Sequence, residues 1–448
     1  MRIIILGAGT SGRMLAGRLC EEHHDVVLVD RDPAALEQME SSHDLLTIPG
    51  EASDPRILEI AGIRKCDMMV AVTDQESINI LACALAHLAG VPTKVARVSN
   101  AAYTDPESPF RLSQMGIDLI VNQQEECARD LFNILRIPGA QEAVDLLGGR
   151  VICAGFLVPT DCPLLVSELK DSPHTALLAT LRLVAYSRNG KLKVPRGDTQ
   201  LQIGDLVYVV GEPEAVETFM ETMQPSEEEY TRVVIAGGGE LGLQLAQRLE
   251  KTHLDVTLME GNSTRADFCA EVLPNTLVIN GSALDHNLMQ EMGINHRTAF
   301  VAVTGDDENN IMSCLVAEKM GAHFTIARVD KLNYRPIVDS LSLVDRMVSP
   351  HTSLINSIYH FVRGAHVQGD RMLQRIPGEI MEIVLEEGHA WTGKAILDMN
   401  LPRGCILTTV LRGDQLLVAT GTLTLHAGDR ILLYGLPKYI RQLDSVLS

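Results

Sequence analysis

Several patterns are missing from this chain, and each absence removes a class of function. Basic residues are not in excess: 38 Lys and Arg stand against 58 Asp and Glu, a formal net charge of −20. A nucleic-acid binder would carry a basic footprint, and an anionic membrane surface would not attract such a chain. No apolar run approaches the roughly 18 residues needed to span a bilayer. No charged leader precedes the first apolar run, so no secretory signal is expected. The nine cysteines are dispersed without a C-x-x-C pair, the pattern of reduced thiols in a cytosolic protein. HExxH, GxSxG and GxxxxGK[ST] do not occur. His174, His389 and His426 each stand alone in the later modules, and His23-His24 falls in an expected loop, so no metal site is expected.

What the chain does have begins at its start. Arg2 to Asp30 reads RIIILGAGTSGRMLAGRLCEEHHDVVLVD. The run Ile3 to Leu6 suits a strand buried on both faces. Gly7, Gly9 and Gly12 then give G-x-G-x-x-G with Ala8, Thr10 and Ser11 between them, a helical pattern follows, and a second apolar run ends on Asp30. In such a turn the first glycine allows the tight bend, the second lets the backbone approach a pyrophosphate, and the third lets helix and strand pack closely. The helix N-terminus supplies free N–H groups and the positive end of its dipole to phosphates. Asp30 stands where an acid accepts hydrogen bonds from ribose hydroxyls, which favours NAD(H) over its 2′-phosphorylated form. These features place a nucleotide; they do not say whether it reacts.

Strand and helix patterns continue to alternate up to about residue 124. Asp32-Pro33 and Asp54-Pro55 are helix starts, and apolar runs at 45–48, 68–72, 93–98 and 119–121 read as strands. The expected fold class is α/β, a Rossmann-type doubly wound parallel sheet. Thr73, Asp74 and Arg97 fall at carboxyl ends of strands, on the rim where such sheets bind ligands. From about 138 to 224 the texture becomes that of a small α+β module. Hairpins are expected at Arg188-Asn189-Gly190-Lys191 and around Gly204-Asp205, the latter pairing 201–203 with 206–210. Pro225 to Glu229 reads as an acidic linker.

The chain then repeats. Gly237, Gly239 and Gly242 rebuild the triplet, with Gly238, Glu240 and Leu241 between them, and Glu260 follows Asp30 by the same 230 residues that separate Gly237 from Gly7. Thr304, Asn310 and Arg328 follow Thr73, Asn79 and Arg97 by 231. Gly428-Asp429 repeats Gly204-Asp205. A tandem duplication of the whole unit is expected, with domains at 1–124, 138–224, 230–352 and 367–448. The small modules offer too few acid–base candidates to complete an ordinary dehydrogenase.

This four-part order, with IIILGAG at 3–9, MMVAVT at 68–73, TKVARV at 93–98 and the closing Gly428-Asp429 hairpin, resembles the TrkA family, built from RCK (KTN) N-terminal and TrkA-C domains. The resemblance spans essentially the whole chain. It implies a non-enzymatic nucleotide-binding subunit of a Trk potassium-uptake system. Such a subunit is peripheral on the inner face of the cell membrane and forms a ring, a homotetramer or dimer of dimers, under a TrkH- or TrkG-type channel. It implies NAD(H), with ATP or ADP as further ligands. By motif, the first site would comprise Gly7 to Ser11, Asp30, Thr73, Asp74 and Arg97; the second, Gly237 to Leu241, Glu260, Thr304 and Arg328. The chain departs from the family where Gly50-Glu51 and Gly281-Ser282 replace the usual Gly-Asp or Gly-His, and a third consecutive glycine, Gly238, stands in the second loop. An NAD-dependent oxidoreductase and a free-standing nucleotide sensor with another partner are the competing readings.

One further expectation concerns assembly. The segments 125–135 and 353–362 are amphipathic, with Leu131, Ile134 and Leu135 on one and Ile355, Ile358, Tyr359 and Val362 on the other. Both are expected to expose an apolar face for self-association.

Overall fold

The computed structural model describes residues 1–103, 112–137, 139–189, 191–223, 230–331, 333–364, 371–372, 379–399, 401–402, 404–436 and 439. Strand β1 (Arg2–Leu6) leads into α1 (Thr10–Glu21), β2 (Asp25–Asp30), α2 (Pro33–Glu40), β3 (Leu46–Pro49), α3 (Pro55–Ile60), β4 (Met68–Ala71), α4 (Glu76–Leu88), β5 (Thr93–Arg97), β6 (Leu119–Val121) and α5 (Gln123–Arg136). The strands form one sheet, β3-β2-β1-β4-β5-β6, with every pairing parallel. Ile3, Ile4, Ile5 and Leu6 are fully buried because helices cover both faces. Asp32 and Asp54 cap α2 and α3 by accepting the Ala34 and Arg56 N–H groups, with proline at the first helical position of each. Strand order reverses between β1 and β4, which opens a crevice at their carboxyl ends beside Gly7.

The first small module holds β7 (Glu142–Leu146), β8 (Val151–Leu157), α6 (Thr175–Leu178), β9 (Leu181–Arg188), β10 (Lys191–Lys193), β11 (Leu206–Gly211) and α7 (Pro213–Met223). Its antiparallel sheet runs β10-β9-β11-β8-β7. The β9–β10 hairpin is as expected, but 201–203 forms no strand; β11 instead pairs with β8 and β9. The reason is Asp205, 1% exposed. Its carboxylate accepts Arg188 Nε at 2.8 Å, Arg188 Nη2 at 2.7 Å and the Gln202 N–H at 2.8 Å. The aspartate therefore ties a loop onto the sheet rather than turning one strand into another. Asp429 repeats the arrangement with Arg412 and the His426 N–H.

The second half rebuilds the first. It runs β12 (Arg232–Ala236), α8 (Glu240–Leu249), β13 (Asp255–Glu260), α9 (Ser263–Val272), β14 (Leu277–Asn280), α10 (His286–Glu291), β15 (Thr298–Ala302), α11 (Asp307–Lys319), β16 (Phe324–Arg328), α12 (Arg335–Leu341), β17 (Arg346–Val348) and α13 (Pro350–Gly364). The sheet order, β14-β13-β12-β15-β16-β17, matches that of the first. The second module, β18 (Arg371–Met372), β19 (Glu379–Val384), β20 (Cys405–Arg412), β21 (Gln415–Val418) and β22 (Arg430–Gly435), repeats the five-stranded order. The linker expected at Pro225 to Glu229 lies outside the described residues. Among those described, no helix is long and apolar enough to cross a membrane.

The two halves exchange helices. Helix α5 follows the first sheet, yet Cys127, Ala128, Leu131, Ile134 and Leu135 pack into the core of the second, with Val233, Leu241, Leu245 and Val256. Helix α13 follows the second sheet, yet Leu354, Ile355, Ile358, Tyr359 and Val362 enter the core of the first, with Ile3, Ile5, Leu15 and Leu28. The helices also touch each other: Ser353 Oγ donates to Asp130 at 2.6 Å. Arg18 of α1 reaches Asn356 at 3.1 Å and lies over the Tyr359 ring at 4.0 Å. This corrects the assembly expectation. Both apolar stripes are real, but each is buried inside the chain by the opposite half. The small modules meet as well, with Tyr208, Val184 and Leu146 of one sharing a core with Tyr434, Leu432 and Leu411 of the other.

Candidate functional site

At the switch point of the first sheet lies a cleft of about 410 Å³, lined by the glycine loop from Gly7 to Ser11 and by Asp30, Thr73, Asp74 and Arg97. Gly7 has φ +106°, a region a side chain would strain, and a methyl there would lie 3.0 Å from the Thr73 backbone nitrogen. A methyl on Gly12 would overlap the Gly7 carbonyl, so this glycine packs helix on strand and does not line the cleft. A methyl on Gly9 would meet nothing within 4 Å: the space beside it is the cleft itself. Gly9 is the N-cap of α1, with no side chain capping it, so the dipole's positive end faces that space.

Asp30 does more than await a ribose. Its carboxylate accepts the Ala8 N–H at 2.5 Å and the Asp32 N–H at 2.8 Å, tying the glycine loop to the end of β2. Each oxygen keeps lone-pair capacity for a hydroxyl. Across the cleft, Asn79, fully buried, accepts from Thr73 N at 3.0 Å and Oγ1 at 2.7 Å, and donates to the Thr73 and Arg97 carbonyls. It clamps the ends of β4 and β5, which holds Arg97 on the rim. Burial lowers the Arg97 pKa, opposed by Asp74 and Glu76; a guanidinium stays charged regardless. Among the described residues Arg97 pairs with no carboxylate.

The second cleft, about 590 Å³, is lined by Gly237, Gly239, Glu240, Leu241, Glu260, Thr304 and Arg328. Glu260 accepts the Gly238 and Asn262 N–H groups at 2.7 and 2.8 Å, as Asp30 does in the first half. Asn310 repeats the clamp on Thr304 and Arg328. Gly242 repeats the packing role of Gly12, and neither it nor Gly238 lines the cleft. The extra glycine has a steric cause. A methyl at 238 would lie 3.1 Å from both Glu260 Cβ and Cys269 Sγ. Glu260 Oε2 lies at the same 3.1 Å, so the acid and Cys269 together take up the room a side chain would need.

The clefts differ where phosphates would sit. Glu240 and Leu241 stand in place of Thr10 and Ser11, so a carboxylate replaces hydroxyl donors in the first helical turn. Arg328 is engaged by Asp330 at 2.9 and 2.6 Å, and Asp330 is in turn held by Ser349 Oγ at 2.8 Å. In the first half the position of Asp330 is Ser99.

Two lining residues could not be found by motif, because they come from the opposite half. His351, second residue of α13, lines the first cleft, and its Nδ1 lies 2.8 Å from Ser11 Oγ. Gln124, second residue of α5, lines the second. Asn79 and Asn310 were visible in the sequence as recurring letters, but their clamp role was not.

The sequence agrees with this geometry over its full length. The TrkA-N domain model matches residues 3–123 and 233–350, and the TrkA-C domain model matches 153–224 and 380–448. The chain belongs to the TrkA family. Among its TrkA-family relatives, the Trk system potassium uptake protein TrkA of Azorhizobium caulinodans is 32% identical, over 100% of this chain and 98% of its own. The protein of the same name from Halomonas elongata is 32% identical, over 98% and 96%. In fold, the chain is similar to the GsuK RCK domain, with TM-score 0.60, 17% identity, and coverage of 100% of this chain and 94% of that one. It is also similar to the GsuK channel bound to NAD, with TM-score 0.61, 18% identity, and coverage of 100% and 78%. The TrkA-family pairing of N- and C-type domains, twice over, is the architecture described above.

Proposed function

We propose that this chain is the nucleotide-binding regulatory subunit of a Trk-type potassium uptake system. In this role it biases a TrkH- or TrkG-type membrane channel subunit without reacting with the nucleotide. The observation that carries the reading is the pair of loop-and-acid clefts joined by exchanged helices, in a chain whose full-length relatives bear the potassium-uptake name. NAD(H), ATP or ADP is the ligand class. Its pyrophosphate sits over Gly9 and the N-terminus of α1, its ribose on Asp30, and its charge near Arg97. Glu240 and the Arg328–Asp330 pair make the second cleft the weaker phosphate site. Binding shifts a pre-existing equilibrium between two arrangements of the halves by its differential affinity for them. Ring assembly on the inner face of the cell membrane uses surfaces other than α5 and α13, which are already covered.

The test is potassium uptake in cells lacking the native subunit, with Gly9→Glu as the blocking change. Loss of nucleotide response, with binding lost and far-UV circular dichroism unchanged, supports the reading. Uptake and response equal to the unmodified protein, with binding lost, overturn it. Steady turnover of NADH with a small carbonyl would point instead to an oxidoreductase.

A further inference from the structure

The first cleft is not closed by its own half. The residue beside Ser11 is His351, delivered by α13. That helix reaches the cleft only because Leu354, Ile355 and Ile358 are buried in the first domain's core. His351 is half-buried and stands at the N-terminal turn of α1, on the side from which a pyrophosphate over Gly9 would be held. The groups acting on it come from each surrounding element: Arg97 from β5, Arg328 and Asp330 at the end of β16, Asp307 from α11, and the Ser11 hydroxyl from α1. It is the only histidine among the residues lining this cleft, and the equivalent lining position of the second cleft is Gln124.

We propose that His351 is a phosphate-facing specificity residue of the first cleft, supplied across the duplication, whose protonation strengthens binding of a pyrophosphate-bearing nucleotide. The inference rests on the nucleotide reading of that cleft. Without ligand, burial lowers the His351 pKa, the two arginines push the same way, and the two aspartates oppose them, so the ring is neutral at pH 7. A bound pyrophosphate adds negative charge beside it and favours the protonated form. The pKa is therefore higher in the complex than in the free protein. By linkage, affinity is flat at high pH and rises as pH falls through the bound-state value, by at most tenfold per unit, until the free-state value is passed. In the second cleft Gln124 cannot titrate, so no such dependence arises there.

The experiment is calorimetric titration of the full chain with NAD⁺, whose pyrophosphate charge does not change over the range, at pH 6 and pH 8 and matched ionic strength. Wild type should bind about three- to tenfold tighter at pH 6, and Gly9→Glu should lose the first-cleft binding at both pH values. His351→Gln, the residue that the chain's own duplicate carries, keeps a hydrogen-bond partner for Ser11 and should bind with the same affinity at both pH values. A second measurement needs no variant: repeating the wild-type titration at pH 7 in buffers of different ionisation enthalpy should show net proton uptake. Binding that is pH-independent, without proton uptake, overturns the His351 proposal and leaves the nucleotide reading standing, as does an equal pH response in His351→Gln. No binding of NAD⁺ at either pH overturns both.

Discussion

Cutting the chain between its halves tests the helix exchange directly. A fragment of residues 1–223 keeps the first sheet, α5 and the first module but loses α13. Five side chains that α13 buries in the first core, Leu354, Ile355, Ile358, Tyr359 and Val362, are each 3% exposed or less. At about 1.5–3 kcal/mol per buried apolar side chain, their removal forfeits about 7–15 kcal/mol, an upper figure because unfolded chains already bury some surface. A typical domain is stable by only about 5–15 kcal/mol. The fragment would also expose Cys127, Leu131 and Leu135 on α5, which the second half now covers. Such a fragment cannot persist as a folded monomer. Its remedy is a second copy of itself, because α5 carries Ala128, Leu131, Phe132 and Leu135 at the positions that match Ile355, Ile358, Tyr359 and Val362 on α13. Sedimentation equilibrium should show a dimer whose melting temperature rises with concentration, and Leu131→Asp should leave it unfolded or aggregated. A folded fragment that stays monomeric at micromolar concentration, with a concentration-independent melting temperature near that of the full chain, would refute the reasoning.

Other expectations follow from the clefts and the core. Asp30→Ala should weaken NAD(H) binding about ten- to hundredfold, or roughly 1.5–3 kcal/mol for a charge-assisted bond. It should also lower the melting temperature, since Asp30 holds the Ala8 and Asp32 N–H groups; Glu260→Ala should change affinity less, and unaltered affinity in Asp30→Ala would count against the first site. NADP(H) should bind more weakly than NAD(H) in calorimetry, and equal or tighter binding would sink the role given to the acid. Gly12→Ala should destabilise the fold by thermal melt because its methyl would overlap the Gly7 carbonyl, whereas Gly9→Glu should melt like wild type yet fail to bind. Burial pushes the Cys66 thiol up to about 11 and the Cys83 thiol up to about 12. Both stay protonated at pH 8, so a thiol reagent should label them only after denaturant is added, and rapid labelling of the native protein would contradict their placement.

The fold was legible in the sequence where its causes are local. The run Ile3 to Leu6, the three glycines and Asp30 each reflect a short-range demand, and the duplicate printed the same demands twice. Asp205 misled because Gly-Asp between apolar runs looks like a hairpin turn; its carboxylate is spent on Arg188, seventeen residues away. The stripes on α5 and α13 showed that one face of each is buried, but periodicity carries no information about what buries it. For the same reason His351 and Gln124 were invisible. Their place beside a cleft is set by a helix exchange across more than a hundred residues, not by any spacing within a motif. Gly238 stood out in the sequence only as an extra glycine; its reason, that Glu260 and Cys269 occupy the room a side chain would need, is a tertiary one.

The two contacts between halves have a mechanical consequence when taken together. The sheets are bolted by crossed helices, the modules by their shared core, and Arg136 on α5 grips Glu217 on α7 at 2.9 Å, stiffening one side member. Four bodies joined in a ring behave as a linkage with few independent joints. The angle between the sheets and the angle between the modules belong to one closed loop of contacts, so neither joint is independent of the other.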